Sequence, residues 1–173
     1  MSHENSARLP AGIRNLKSAA ESPRCEASHA FCVTGPVDQV FGLFDAISER
    51  DWVDDWDPVA IYPVELSRSE GSVFTTERDD RMTVWTVLRY APEQHVAEYL
   101  VTEYDYQHRW IYVSCSAETD RTTQVTVRYV TTALTPTGQQ DINRYGKEFL
   151  QGWQQPVQIA ANHLAVDHLG ERA

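Results

Sequence analysis

Residues 137–170 read TGQQDINRYGKEFLQGWQQPVQIAANHLAVDHLG, and this stretch decides the fold. Its apolar positions are Ile142, Tyr145, Phe149, Trp153, Pro156, Ala160 and Leu164, at spacings of 3, 4, 4, 3, 4 and 4, which is one face of a helix. Thr137 with Gln140 fits a capping box, and Asp141 adds negative charge to the first turn. Gly170 follows the last periodic residue, as a C-terminal cap does. The pattern predicts one helix of about 32 residues, a rod of roughly 48 Å at ~1.5 Å per residue. A rod of that length needs a large apolar partner. Gly152 and Pro156 weaken the same turn. Glycine costs about 1 kcal/mol relative to alanine inside a helix, and Pro156 cannot donate to the Gly152 carbonyl and crowds it. A kink is expected there. It either curves the helix around a core or opens space beneath Phe149 and Trp153 for a ligand.

The rest of the chain supplies that partner. Residues 27–34 alternate, with Phe31 and Val33 on one side and Ala30 and Cys32 on the other, so they read as a strand. Gly35-Pro36 ends it, and Val37, Val40, Phe41 and Phe44 recur at helical spacing. A second short helix is expected over 45–51. Strands follow at 60–66, 72–78, 82–90, 96–103, 108–117 and 123–134, with Pro63 marking the first as an edge. Six strands joined by short turns make an antiparallel meander. A sheet with one apolar face needs a cover, and only the terminal helix is long enough. The expected architecture is α+β: a curved seven-stranded antiparallel sheet wrapped around a long C-terminal helix, with two short helices between strands 1 and 2.

Composition narrows the function classes. The 173 residues suit one domain, taken as 26–170, behind a flexible N-terminal tail at 1–25. That tail has no apolar core of seven residues, so a secretory signal is not expected. A formal charge of −10 argues against nucleic acid as a partner, and no run of 18 apolar residues exists to span a membrane. The three cysteines, Cys25, Cys32 and Cys115, are odd in number and lack metal-type spacing, which fits a reduced, cytoplasmic setting. Five acids surround Trp52 and Trp56 in residues 49–57. They lack the glycine turn and closing glutamate of a calcium loop, so solvated acids are expected and no metal. Trp52 and Trp56 are expected to plug one end of the domain. Neither a glycine-rich phosphate loop nor Gly-x-Gly-x-x-Gly is present, and no cofactor is expected.

Certain residues carry a family resemblance. They are Phe31-x-Val33 leading to Pro36 and Val40-Phe41; the Trp52 to Pro58 segment; Gly71-x-x-Phe74-x-Thr76; Trp85-x-Val87-x-x-Tyr90-x-Pro92; Thr123-x-Val125-x-Val127; and the helix with Phe149 and Trp153. Over about residues 27–169 the chain resembles the START-like or SRPBCC superfamily with its helix-grip fold, nearest to the polyketide cyclase/dehydrase and lipid-transport type. The resemblance implies an internal cavity between the concave sheet and the long helix. Members hold lipids, sterols, polyketides or other apolar molecules there, and some carry out cyclisation or dehydration. A fold does not fix a reaction.

Strand alternation puts Phe31, Val33, Phe74, Thr76, Trp85, Val87, Val127 and Tyr129 on the cavity side, with Phe149 and Trp153 from the helix. Tyr129 either orients a ligand oxygen or bonds to backbone. The register of 109–115 admits two readings. With Ile111, Val113 and Cys115 inward, Trp110 and Tyr112 form an outer aromatic patch suited to a homodimer contact. In the other register they line the cavity. The first is preferred because those three positions are all apolar, and Tyr99 is then read as inward with Glu98 outward. Glu98 with Arg109, and Asp105 with His108, read as solvated cross-strand pairs. His29 shares parity with Phe31, but no nucleophile–base set is legible. Three functions stay open: a binder of a hydrophobic or aromatic small molecule, an aromatase/cyclase or dehydratase-like enzyme using the same cavity, and a protein-interaction module.

Overall fold

The computed structural model describes residues 23–78 and 80–170, with side chains through Leu164. The tail expected at 1–25 lies almost wholly outside the described residues. The first strand, β1 (Arg24–Thr34), ends at Gly35, whose φ of +153° suits glycine and whose N–H donates to the Arg121 carbonyl. Pro36 then leads into α1 (Val37–Phe41), and a 3-10 turn at Ser48–Asp51 follows. The remaining strands are β2 (Val59–Tyr62), β3 (Val73–Arg78), β4 (Arg81–Ala91), β5 (Val96–Glu103), β6 (Gln107–Thr119) and β7 (Thr122–Ala133).

All seven strands form one antiparallel sheet in the order β1-β7-β6-β5-β4-β3-β2. Every step except β1 to β7 joins neighbours in sequence, so hairpin turns set the topology. The short strand before Pro63 is indeed an edge. On β7, Val125, Val127, Tyr129 and Thr131 share one buried face, and on β6 Ile111, Val113 and Cys115 do the same. Trp110 points outward, where its Nε1 donates to Glu98 Oε2 at 3.2 Å and Arg128 lies over its ring.

The C-terminal stretch departs from a single rod. It forms α2 (Pro136–Gln140), a turn at 141–146, α3 (Lys147–Gln151) and α4 (Gln154–Gly170). The cap of α2 is Thr135, not Thr137: its Oγ1 accepts from the Gly138 N–H at 3.2 Å. Tertiary contacts override the helical period here. Tyr106 donates to Asp141 Oδ2 at 2.7 Å, and Gln107 Nε2 donates to the carbonyls of Gly138 and Asp141. These bonds hold the segment against the β5–β6 turn.

The second break falls where Gly152 and Pro156 weaken the turn. Trp153 N–H bonds back to the Leu150 carbonyl at 3.2 Å, a tightened turn, and α4 restarts at Gln154. Pro156 thereby occupies a first turn, where its missing N–H is not needed. The two helices α3 and α4 cross the concave face and pack on β1, and α4 also meets α1. Gln158 locks this crossing by accepting from the Thr34 N–H at 2.9 Å.

The apolar stripe also divides. Leu150, Val157, Ala160 and Ala161 are buried against the sheet, whereas Phe149 is 39% exposed. Phe149 and Trp153, expected on the cavity side, line an opening beside the core together with Pro156.

Candidate functional site

Between the sheet and the helices lies a cavity of about 330 Å³. Its wall on the sheet side comes from inward positions of β3 to β7: Thr76, Trp85, Tyr99, Ile111, Val113 and Tyr129. The helices contribute Phe149, Trp153 and Pro156, and the loop after α1 contributes Trp52 and Trp56. Of the residues placed on the cavity side by alternation, Thr76, Trp85, Tyr99, Val113, Tyr129, Phe149 and Trp153 come together around this space. Phe31, Val33, Phe74, Val87 and Val127 share the same sheet face but are packed in the core, each no more than 5% exposed. The helices α3 and α4 pack on β1, which carries Phe31 and Val33, and α1 packs on β7, which carries Val127, while Phe74 is covered by the Trp56 and Trp85 rings.

The rings hold one another in place. Trp56 meets Trp85 edge-on at 5.2 Å, and Phe74 stacks on Trp85 at 5.7 Å. Trp52 meets Trp153 edge-on at 5.6 Å. Each of three indole N–H groups has an acceptor: Trp52 donates to the Leu43 carbonyl, Trp56 to the Ala46 carbonyl, and Trp85 to Thr76 Oγ1. Bonds of this kind let an indole be buried without a polar penalty, so the walls are rigid and their faces apolar. Trp52 and Trp56 pack against the core and line the cavity at the same time.

Polar groups gather at the opposite end. Arg109 Nη1 lies 2.5 Å from Glu103 Oε1, with both side chains buried. Tyr145 donates to the same Oε1 at 3.3 Å and lays its ring 4.1 Å from the guanidinium carbon. The partners assumed from the sequence are corrected accordingly. Arg109 pairs with Glu103, not Glu98, and the pair is not solvated. Glu98 instead faces Arg89 and Trp110, and His108 bonds to Thr102. The signal was present in the parity: two and four residues before Ile111, the inward face of β6 continues through Arg109 and Gln107.

Burial shapes the titration of the site. Desolvation raises the Tyr99 and Tyr129 hydroxyls far above the phenol range, so both stay protonated donors. Tyr99 spends its proton on the Phe44 carbonyl at 2.9 Å. Tyr129 makes ring contacts to Tyr145, Phe149 and Trp153, and its hydroxyl has no hydrogen-bond partner among the described residues. Desolvation, with the charge of Asp45, also holds the Glu49 carboxyl on the cavity wall well above the usual carboxylate range. His29 stacks on Phe31 away from this cavity. No group of three or more metal-ligating side chains exists among the described residues.

Solved structures share the fold. Norcoclaurine synthase from Thalictrum flavum matches with a TM-score of 0.65 at 10% identity, over 94% of this chain and 96% of that one. The Zhui aromatase/cyclase from Streptomyces sp. R1128 matches with 0.60 at 15% identity, over 84% and 96%. Ara h 8.0201 matches with 0.55 at 11% identity, over 83% and 99%. The chain has the START-like (SRPBCC) helix-grip fold. No family model and no curated protein matches the sequence. Among the described residues, no helix is long and apolar enough to cross a membrane.

Proposed function

We propose that this protein binds a hydrophobic or aromatic small molecule in the cavity between the sheet and the C-terminal helices. One observation carries the reading: Trp52, Trp56, Trp85 and Trp153 all line an open space of about 330 Å³. An apolar ligand gains about 25 cal/mol for each Å² it buries against such walls. The neighbouring folds support an aromatic ligand. One norcoclaurine synthase structure is a complex with dopamine and hydroxybenzaldehyde, and another neighbour is an aromatase/cyclase. Three free cysteines support a cytoplasmic setting. A homodimer contact through Trp110 and Tyr112 has weaker support, because Glu98 and Arg128 already engage Trp110. The test is a titration of the purified chain with naphthalene, followed by tryptophan fluorescence. Saturable one-to-one quenching supports the reading, and its absence up to the solubility limit refutes it.

A second reading is an enzyme of the aromatase/cyclase or dehydratase type, favoured by Glu49. Glu49 lines the cavity, and burial with the charge of Asp45 raises its carboxyl above the usual carboxylate range, which favours the protonated form that a general acid toward a carbonyl needs. Enolisation follows when water removes a methyl proton as Glu49 protonates the carbonyl oxygen, and deuterium exchange at the methyl group of 2-acetylnaphthalene reads it. Acceleration by the wild type that Glu49→Gln removes supports the enzyme; a rate equal to buffer alone leaves the binder.

A further inference from the structure

Arg109 is 3% exposed, lines the cavity, and is turned inward by the same alternation that turns Ile111 and Val113. Its charge is answered by Glu103, 2.5 Å away and 5% exposed. One face of its guanidinium is covered by the Tyr145 ring at 4.1 Å. Yet the N–H bonds of Nη1 are not directed along the contact with Glu103, and this nitrogen has no aligned hydrogen-bond partner among the described residues. What is left is a guanidinium edge with donor capacity in a desolvated place. An unmet buried donor is costly, and an acceptor entering the cavity returns that cost.

We propose that the ligand is an uncharged aromatic ketone and that Arg109 donates a hydrogen bond to its carbonyl oxygen. This rests on the cavity-binding reading above and adds to it the polar group of the ligand and the residue that selects it. An arginine only donates, so its complement is an oxygen that only accepts. The group on Arg109 carries no charge because Glu103 already neutralises that arginine: a carboxylate seated there would lie beside the Glu103 carboxylate in a low-dielectric site. Arg81 and Arg144, which also line the cavity, are the seats that the carboxylate probe below tests. Length and shape come from the ring-lined part of the cavity, and orientation comes from this one end.

The experiment titrates the full chain with three probes of equal size: 2-acetylnaphthalene, 2-ethylnaphthalene and 2-naphthoate. The wild type should bind the ketone at least about tenfold more tightly than either of the others, as sites built to bond a polar group do. Glu103→Leu combined with Arg109→Met removes both charges together, so no unpaired ion is left buried. That variant should lose the preference and still bind 2-ethylnaphthalene. As a readout free of mutation, the carbonyl stretch of bound 2-acetylnaphthalene in the wild type should fall below its value in hydrocarbon solvent. Equal wild-type affinity for ketone and ethyl probe, or an unshifted carbonyl stretch, overturns the role of Arg109 and leaves the apolar binder standing. Tightest binding of 2-naphthoate overturns the uncharged ligand. Failure of all three probes to bind overturns the cavity reading and this inference with it.

Discussion

Gly138 lies directly against the backbone of Tyr106: a β-carbon at position 138 would stand 1.9 Å from the Tyr106 carbonyl oxygen. No side chain can give way there, because the obstacle is main chain. This approach is what lets Gln107 reach the carbonyls of Gly138 and Asp141 and what fixes the start of the C-terminal helices. Gly138→Ala should therefore cost at least about 3 kcal/mol, the upper range for overpacking. Urea denaturation measures it, and a loss near zero would show that the two segments are not in contact.

The same contact explains what could be read from the chain. Strands were legible because a period of two leaves no freedom: once Val125, Val127 and Tyr129 are seen together, their shared face follows. The helix from 137 was not one rod, because its fate depends on Tyr106 and Gln107, some thirty residues upstream, and helical spacing says nothing of such partners. Reading one stripe through both breaks left out Leu150 and Val157, which are the fully buried residues of the two helices. Arg109 was missed for a different reason. A charged residue on a strand is assigned to solvent by habit, although its parity with Ile111 pointed inward.

The buried pair gives a sharp stability test. Breaking a buried ion pair on one side leaves an uncompensated charge and costs about 3–5 kcal/mol, whereas replacing both partners with apolar residues is close to neutral. Arg109→Met alone should therefore be far less stable than Glu103→Leu with Arg109→Met. Denaturation midpoints of the single and double variants check this. A double variant no more stable than the single would mean that the pair is solvated.

Stability should also depend on pH through Glu49. Desolvation keeps its carboxyl protonated in the folded protein above the range where the unfolded chain loses that proton, near pH ~4.3. As pH rises from there, the unfolded state binds fewer protons than the folded state. Stability therefore falls, until Glu49 ionises in the folded protein as well. Glu49→Gln removes this slope. The wild-type midpoint should decline relative to the variant as pH rises above that point, and the two should run parallel below it. A difference that does not change with pH contradicts the burial of this carboxyl.

Phe149 separates ligand binding from folding. At 39% exposure its ring touches Tyr145 and Tyr129 but lies outside the close-packed core. Phe149→Ala should cost about 1 kcal/mol, against roughly 2–5 kcal/mol for Leu150→Ala at full burial. Naphthalene affinity should fall about fivefold with the lost ring contact. Thermal melts and fluorescence titration of the two variants give both numbers, and an unchanged affinity in Phe149→Ala would place the ligand elsewhere.

The five tryptophans provide the most direct measurement. Trp52, Trp56, Trp85 and Trp153 line the cavity, and Trp110 stands on the outer face of the sheet. Each indole N–H gives its own signal in a nitrogen–proton correlation spectrum of the labelled protein. On titration with 2-acetylnaphthalene the four cavity signals should move together to saturation while the Trp110 signal stays in place. Four stationary cavity signals, or movement confined to Trp110, would contradict an aromatic ligand held between sheet and helix.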